Sequence, residues 1–550
     1  MPPPVPARSC GEDIPFLLAE LGVETVFGMP GVHSLEFYRT LADAGIAHIS
    51  VRHEQGAGFM ADGYARASGR PGVALVISGP GVTNAATALG QAHSDSVPVL
   101  LLTPAVALED LGLGAGALHE IVDQRGLTAP VAGLSAVAHT PAQAAELIAR
   151  AFARFATLRP RPAHVSVPLD VLEAPAAPRR PSVAALHRPG PDPAGVRALA
   201  ARMQAARAPV VLAGGGAVAA APDLRALVEA SGALFVSTIA GKGILPDDHP
   251  LSLGATLQRP ATRHAVAEAD FVLAIGTEIA EPDLYVTADA EAAEPPGTSE
   301  GRPTLRLGAG FGRIDLDPEV MLRPRAPDIG LVSDAALAVR ALLEAGGWRP
   351  PAQDTAARAA AIRAQNAAAM SPLERVHQTV LMAIRRGLPE QALVYADMCQ
   401  IAYTGCITFP VQQPGRWHFP MGFGTLGHAL PAAIGGKLAR PDLPVAALVG
   451  DGGLQFTLQE LATAAEHRLA LPILLWDNDA LAEIAVFMRS RQIPPVGVRP
   501  PNPDFAALAA AYGIAHTAPL TPSEITGAVG AALAAPGPTL IQIRQQAFEP

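Results

Sequence analysis

An aspartate set among glycines, Gly450-Asp451-Gly452-Gly453, and an asparagine 27 residues later (478 − 451), Asn478, have the make-up of a site for a hard cation and a phosphate. Each stands behind a continuous apolar run, PVAALVGD (Pro444–Asp451) and LPILLWDN (Leu471–Asn478), with the helical pattern LQELATAAEHR between them. Open parallel sheets bind ligands at the carboxyl ends of their strands. Glycines there let backbone N–H groups approach phosphate, and a helix N-terminus favours negative charge. Asp451 and the side-chain carbonyl of Asn478 are oxygen ligands suited to Mg²⁺, and the backbone carbonyl of Ala480 adds a third. Taken alone, G-D-G-G is a common turn. The asparagine at the next strand end makes it a metal and diphosphate site.

The elements that must position these residues follow from the apolar pattern. VALVIS (Val73–Ser78) and PVLLLT (Pro98–Thr103) flank an Ala-rich helix, and PVVLAG (Pro209–Gly214) and DFVLAIG (Asp270–Gly276) repeat the theme. Continuous apolar strands separated by helices imply parallel sheets covered on both faces. Pro-rich stretches at Glu173–Gly195 and from Gly346, the second leading into an Ala-rich helical connector before Ser371, divide the chain. The fold class expected is α/β, with three doubly wound parallel-sheet domains at 1–175, 190–345 and 365–550. The segment Ala288–Pro303 reads as an exposed acidic loop.

Hydrophobic residues are 49% of the 550 and charged residues 16%, enough to bury several cores. The net charge of -10 argues against a nucleic-acid partner. Cys10, Cys399 and Cys406 contain no C-x-x-C pair, so neither a disulfide framework nor a zinc site is expected. The start shows no signal peptide and no stretch approaches the ~18 apolar residues of a membrane span, so a reduced, cytoplasmic protein is the reading.

Further blocks are FGMPGVHSLEFY (Phe27–Tyr38), Arg52-His53-Glu54-Gln55-Gly56-Ala57, SGPGVTN (Ser78–Asn84), GKGILPDDHPL and GFGTLGHALPAAIG (Gly422–Gly435). A glutamate before a small-residue helix suits the helix dipole without further purpose. Together with G-D-G-G…D-N, however, these blocks resemble the thiamine-diphosphate enzyme superfamily, in its acetolactate synthase-like branch, over nearly the whole chain. LHEIVDQR (Leu118–Arg125), ADMCQIAYTG (Ala396–Gly405) and WDNDALAEI (Trp476–Ile484) are similar to the 5-guanidino-2-oxopentanoate decarboxylases. The resemblance makes the three domains pyrimidine-binding, central and diphosphate-binding.

It also implies roles. Glu54 shares a proton with the cofactor's aminopyrimidine and so switches the cofactor on. Leu426 matches the apolar wedge between the cofactor rings, and the Gly424 carbonyl the acceptor of its amino group. Gln400, Ile401 and Leu481 match positions beside the cofactor, with Gly450, Asp451, Gly452, Gly453, Asn478 and Ala480 at its diphosphate and Mg²⁺. Glu54 and the metal site come from different subunits, which implies a homodimer at least and a homotetramer as the expected form.

Two reactions on a 2-oxo acid remain open. Protonation after loss of CO₂ gives an aldehyde, and attack on a second carbonyl gives the hydroxyketone of a carboligase. A proton donor in reach favours the aldehyde, and His119 is the candidate, with His33 behind it. Val32 stands where pyruvate decarboxylases carry an acid and benzoylformate decarboxylases a serine, so protons are handled differently here. Gln124, Glu483 and Phe487 are expected at the substrate pocket. Val486, Phe487 and Met488 suit an aliphatic or aromatic acid better than a guanidino one. Gly214-Gly215-Gly216, with Glu229 further on, fits a dinucleotide-binding turn and so a flavin or NAD oxidoreductase. Such a lone match is weak, and FAD is possible but not favoured. A non-catalytic relative would be expected to lack Glu54 or the metal ligands, and both are present.

Overall fold

The computed structural model describes residues 8–176, 186–284 and 305–549, so the stretch Ala288–Pro303 lies outside the described residues. Three sheets, parallel throughout, carry the chain. The first orders its strands Ala47–Ser50, Thr25–Gly28, Gly72–Leu75, Val99–Ala105, Ala163–Pro168 and Leu134–Val137. The third orders Trp417–His418, Leu393–Ala396, Val445–Gly450, Pro472–Asp477, Thr539–Arg544 and Ala515–Thr517. Counted within each domain, both follow the order 2-1-3-4-6-5. The central sheet runs Ile329–Val332, Gly310–Asp315, Phe271–Ile275, Pro209–Ala213 and Leu234–Ser237.

The inner strands are buried at every residue, which is why their sequences read as unbroken apolar runs. The expected connector is the helix Thr355–Ala368, and LQELATAAEHR forms the helix Glu460–Glu466. Among the described residues no helix is long and apolar enough to cross a membrane.

The first and third domains meet through helices that occupy the same place in each, Glu54–Ser68 and Ala429–Ala439. Glycines set how near they come. A Cβ on Gly63 would lie 2.0 Å from the Ala432 carbonyl oxygen, and one on Gly435 2.0 Å from that of Met60. Ala57, Met60, Ala61, Ala432 and Ala433 share one core with both sheets. Tyr395 Oη donates to the Gly63 carbonyl (2.8 Å), so a polar bond crosses the same seam.

The central domain is tied to the third by one buried ion pair and one hydrogen bond. Arg259 meets Glu374 at 2.6 Å, and Asp247, paired within its own domain with Lys242 at 2.8 Å, accepts from Val411 N. Its glycine turn serves backbone packing. Gly216 N donates to the Gly276 carbonyl (3.0 Å), and a Cβ on Gly214 would fall 2.5 Å from that same oxygen. Glu229 lies outside this turn, bonded to Arg225 and His249. The two glycine turns pack directly against each other, so these glycines already have a structural role.

Candidate active site

Three adjacent strand ends of the third sheet converge. Leu393–Ala396 leads to Gln400, Val445–Gly450 to Asp451, and Pro472–Asp477 to Asn478. Asp451 is buried, accepts from Gly452 N at 2.9 Å, and its carboxyl is pushed up by burial. Its oxygen and those of Asp477 and Asp479 lie within 4.8 Å of one another. Asn502 Nδ2 reaches all three, at 2.8, 3.3 and 3.2 Å. An all-oxygen donor set of this charge fits Mg²⁺.

The carboxylates of Asp477 and Asp479 thus stand beside the expected ligand Asp451. The Asn478 amide turns its Nδ2 to Gln400 Oε1 (3.4 Å), and Gln400 Nε2 donates to Glu483 Oε2 (3.2 Å). Ala480 follows the left-handed turn at Asp479 (φ 53°), and a Cβ on Gly452 would meet the Leu481 side chain at 3.0 Å. Gly450 and Gly453 back onto Cys399 and Asp397. Ile401 is wholly buried in the core, so only its main chain can serve a ligand. Glu483 and Phe487 are half-buried and one turn apart on the helix Ala482–Ser490.

Glu54 is the first residue of its helix and half-buried. Asn84, from the helix Pro80–Ser94, donates to Glu54 Oε2 at 2.9 Å. The turn before Glu54 is held by the third domain, where the buried Glu460 accepts Arg52 N at 3.1 Å. A Cβ on Gly56 would strike that carboxylate at 2.5 Å.

The two histidines, 86 residues apart (119 − 33), come together over the same Gly-rich turn. Their rings stand edge to face with centroids 5.0 Å apart, and His33 Nδ1 is 3.1 Å from Ser78 Oγ. Burial, then the neighbouring His119, holds His33 below the ordinary imidazole value. His119 has a φ of 59°, and its Nδ1 is buried with no hydrogen-bond partner among the described residues. A cavity of about 160 Å³ opens beside Ser78, His119, Ile121 and Gln124. Gln124 lines it but turns its amide inward, accepting Gly79 N (3.0 Å) and donating to Thr103, the Pro104 carbonyl and Ser166. It therefore shapes the Ser78–Gly79 turn instead of offering a free group to a ligand. Val32, one residue before His33, is exposed.

Gly424 (φ 69°) and Leu426 lie on the loop between Trp417–His418 and Ala429–Ala439. Asn84 and Asn502 were missed as site residues in the sequence. Asn84 closes the SGPGVTN block, a signal that could have found it, whereas Asn502 sits in a proline-rich turn with none.

Known proteins match the chain in all three domains. Family profiles of the thiamine pyrophosphate enzymes match residues 9–127 (N-terminal TPP binding domain), 196–342 (central domain) and 400–543 (C-terminal TPP binding domain). The chain is 47% identical to the "Probable 2-ketoarginine decarboxylase" of Pseudomonas aeruginosa, over 98% of this chain and 95% of that protein. It is 32% identical to the acetolactate synthase large subunit of Lactococcus lactis, over 91% and 86%. With the acetolactate synthase isozyme 1 large subunit of Escherichia coli it shares 29%, over 98% and 94%. Carrying all three domains in order, with the glutamate at one glycine-rich helix start and the aspartate at another, the chain belongs to the thiamine pyrophosphate-dependent enzymes.

Proposed function

We propose that this enzyme removes CO₂ from a 2-oxo acid without oxidation and releases an aldehyde, with thiamine diphosphate held by Mg²⁺. The observation that carries the choice of reaction is the His33–Ser78–His119 group, a source of protons beside the turn that leads to Asn84 and Glu54. Thiamine diphosphate, when bound, supplies the carbon nucleophile and the cationic ring that takes up the electrons released with CO₂. Glu54, with Oε2 engaged by Asn84, keeps Oε1 to hold a proton for the cofactor. Asp451, the Asn478 side chain and the Ala480 carbonyl would hold the metal, and the Asp477 and Asp479 carboxylates, within 4.8 Å of that of Asp451, would add negative charge around it. Gln400 and the glycines Gly450–Gly453 border the diphosphate, and Leu426 with the Gly424 carbonyl shapes the ring end.

His33 and His119 then deliver the proton that completes the aldehyde. Burial and the neighbouring His119 keep His33 below the ordinary imidazole range, which favours its neutral form. Glu483 and Phe487 offer the substrate side chain one carboxylate and one apolar face. The 47% relative is named for a guanidino acid, and Glu483 is the group here that suits such a cation. The unit is a homodimer or homotetramer in the cytoplasm. Val32, Phe423, Phe456 and Val496, 49–74% exposed, are apolar side chains that a second copy would cover.

The test is incubation with thiamine diphosphate, Mg²⁺ and a panel of aliphatic, aromatic and guanidino 2-oxo acids, with Glu54→Gln as control and products read by mass spectrometry. Aldehyde lost in the control supports the reading. A hydroxyketone product moves the enzyme to the carboligase reaction of its acetolactate synthase relatives. Turnover of no acid by cofactor-loaded protein overturns the assignment. Sedimentation as a monomer at micromolar concentration would sink the shared site.

A further inference from the structure

We infer that Gln91 and Asp95, in the first domain, are positioning residues for the loop that carries Leu426, and so set how tightly thiamine diphosphate is held; this rests on the cofactor reading above. The segment 419–428 contains no strand or helix, so its shape is decided by what grips it. Leu426 is half-buried, and its two neighbours, Thr425 and Gly427, are buried. Both neighbours are pinned through their main-chain N–H groups. Gly427 N donates to the Asp397 carboxylate at 2.9 Å, within the third domain. Thr425 N donates to Gln91 Oε1 at 3.3 Å, and Thr425 Oγ1 to the same oxygen at 2.8 Å, across the domain seam.

Gln91 is wholly buried, and the other end of its amide is engaged as well. Its Nε2 donates to Asp95 Oδ2 at 2.8 Å, and that oxygen also accepts from Arg66 Nη2 at 2.8 Å. Asp95 Oδ1 takes Gly422 N at 2.9 Å, so the pair grips the loop on both sides of Gly424. An amide fixed at both ends cannot turn without leaving buried donors unpaired. A network that only fastened the two domains would end on the body of the third domain. Here each bond from Gln91 or Asp95 that crosses the seam ends on the loop. The helix crossing at Gly63 and Ala432 already joins the domains.

The experiment is calorimetric titration of thiamine diphosphate in the presence of Mg²⁺, with melting of the cofactor-free protein in parallel. Gln91→Leu keeps the volume and removes both ends of the clamp, and Thr425→Val removes only the hydroxyl. We expect Gln91→Leu to weaken cofactor binding on the order of ten-fold and Thr425→Val about three-fold. In a Leu426→Ala background, Gln91→Leu should add less than about two-fold, because its effect runs through that side chain. Unchanged affinity in Gln91→Leu, or in Thr425→Val if the former does not fold, overturns the inference. So does a full loss that persists in the Leu426→Ala background, which a purely structural role would give. A wild-type protein that does not bind thiamine diphosphate overturns the cofactor reading itself and takes this inference with it.

Discussion

Replacing Asn84 with alanine removes the amide that donates to Glu54 Oε2 at 2.9 Å and leaves the carboxylate free to turn toward water. A hydrogen bond to a charged group contributes about 1.5–3 kcal/mol. Each ~1.4 kcal/mol is ten-fold in rate. Glu54 is only half-buried, so water recovers part of that loss and the lower end applies, which is roughly a ten-fold fall. Asn84 is itself half-buried, so stability should change by less than about 1 kcal/mol. The assay is exchange of the cofactor's C2 proton for deuterium on the enzyme, followed by acid quench and NMR, which reports activation by Glu54 without any substrate. Asn84→Asp sharpens the result. It sets a second carboxylate against Glu54, where like charges cannot both ionise, and should be slower than the alanine variant above neutral pH. Exchange within two-fold of wild type in Asn84→Ala, while Glu54→Gln is inactive, would refute the idea that the amide sets the glutamate.

Three other outcomes are expected. Gly63→Ala drives a methyl to 2.0 Å from the Ala432 carbonyl oxygen, so the denaturation midpoint should drop by the equivalent of about 3 kcal/mol, and an unchanged midpoint would mean the helices separate freely. Mg²⁺ with thiamine diphosphate at ~100 times its Kd should raise unfolding free energy by about 2.7 kcal/mol, and Asp451→Asn should abolish that gain; a melting temperature indifferent to Mg²⁺ rejects the metal site. His164 is fully buried among Thr103, Thr128 and Ser166, and burial holds its pKa down to about 3. The unfolded chain therefore takes up a proton below pH ~6.5 that the fold refuses, and stability is lost as pH falls from 6.5 toward 3 at about 1.4 kcal/mol per pH unit. His164→Gln should narrow its stability gap to wild type by that slope between pH 6.5 and 5, and a constant gap would show that His164 accepts a proton in place.

The sequence disclosed those features that depend on one element at a time. Unbroken apolar runs such as PVAALVG read as strands covered on both faces, and the Asp451–Asn478 spacing fits one strand, one helix and the next strand. Glu54, which the helix dipole alone would explain, stood out only in company with SGPGVTN and the G-D-G-G…D-N pair. What stayed hidden depends on where two elements cross. Asn502 reaches three carboxylates only because its proline-rich turn folds back over two strand ends. His33 and His119 meet over Ser78 through a left-handed residue that no spacing rule requires. Gln91 looks like an ordinary helical glutamine until the third domain is laid against it. The orientation of the Asn478 amide toward Gln400 is equally a property of the assembled strand ends.

The shared 2-1-3-4-6-5 strand order of the outer domains gives these crossings a common origin. Helices in the same place in each sheet meet with glycine against carbonyl oxygen, a contact with almost no freedom to slide. The start of the first such helix is Glu54, and the loop before the second carries Leu426. Glu460 fastens the first to the third domain through Arg52 N, and Gln91 with Asp95 fastens the second to the first domain. Each domain therefore sets the reactive segment of the other. The rigid crossing between them lets a proton-holding carboxylate and a ring-shaping side chain, 372 residues apart (426 − 54), keep their places without either being buried in its own sheet.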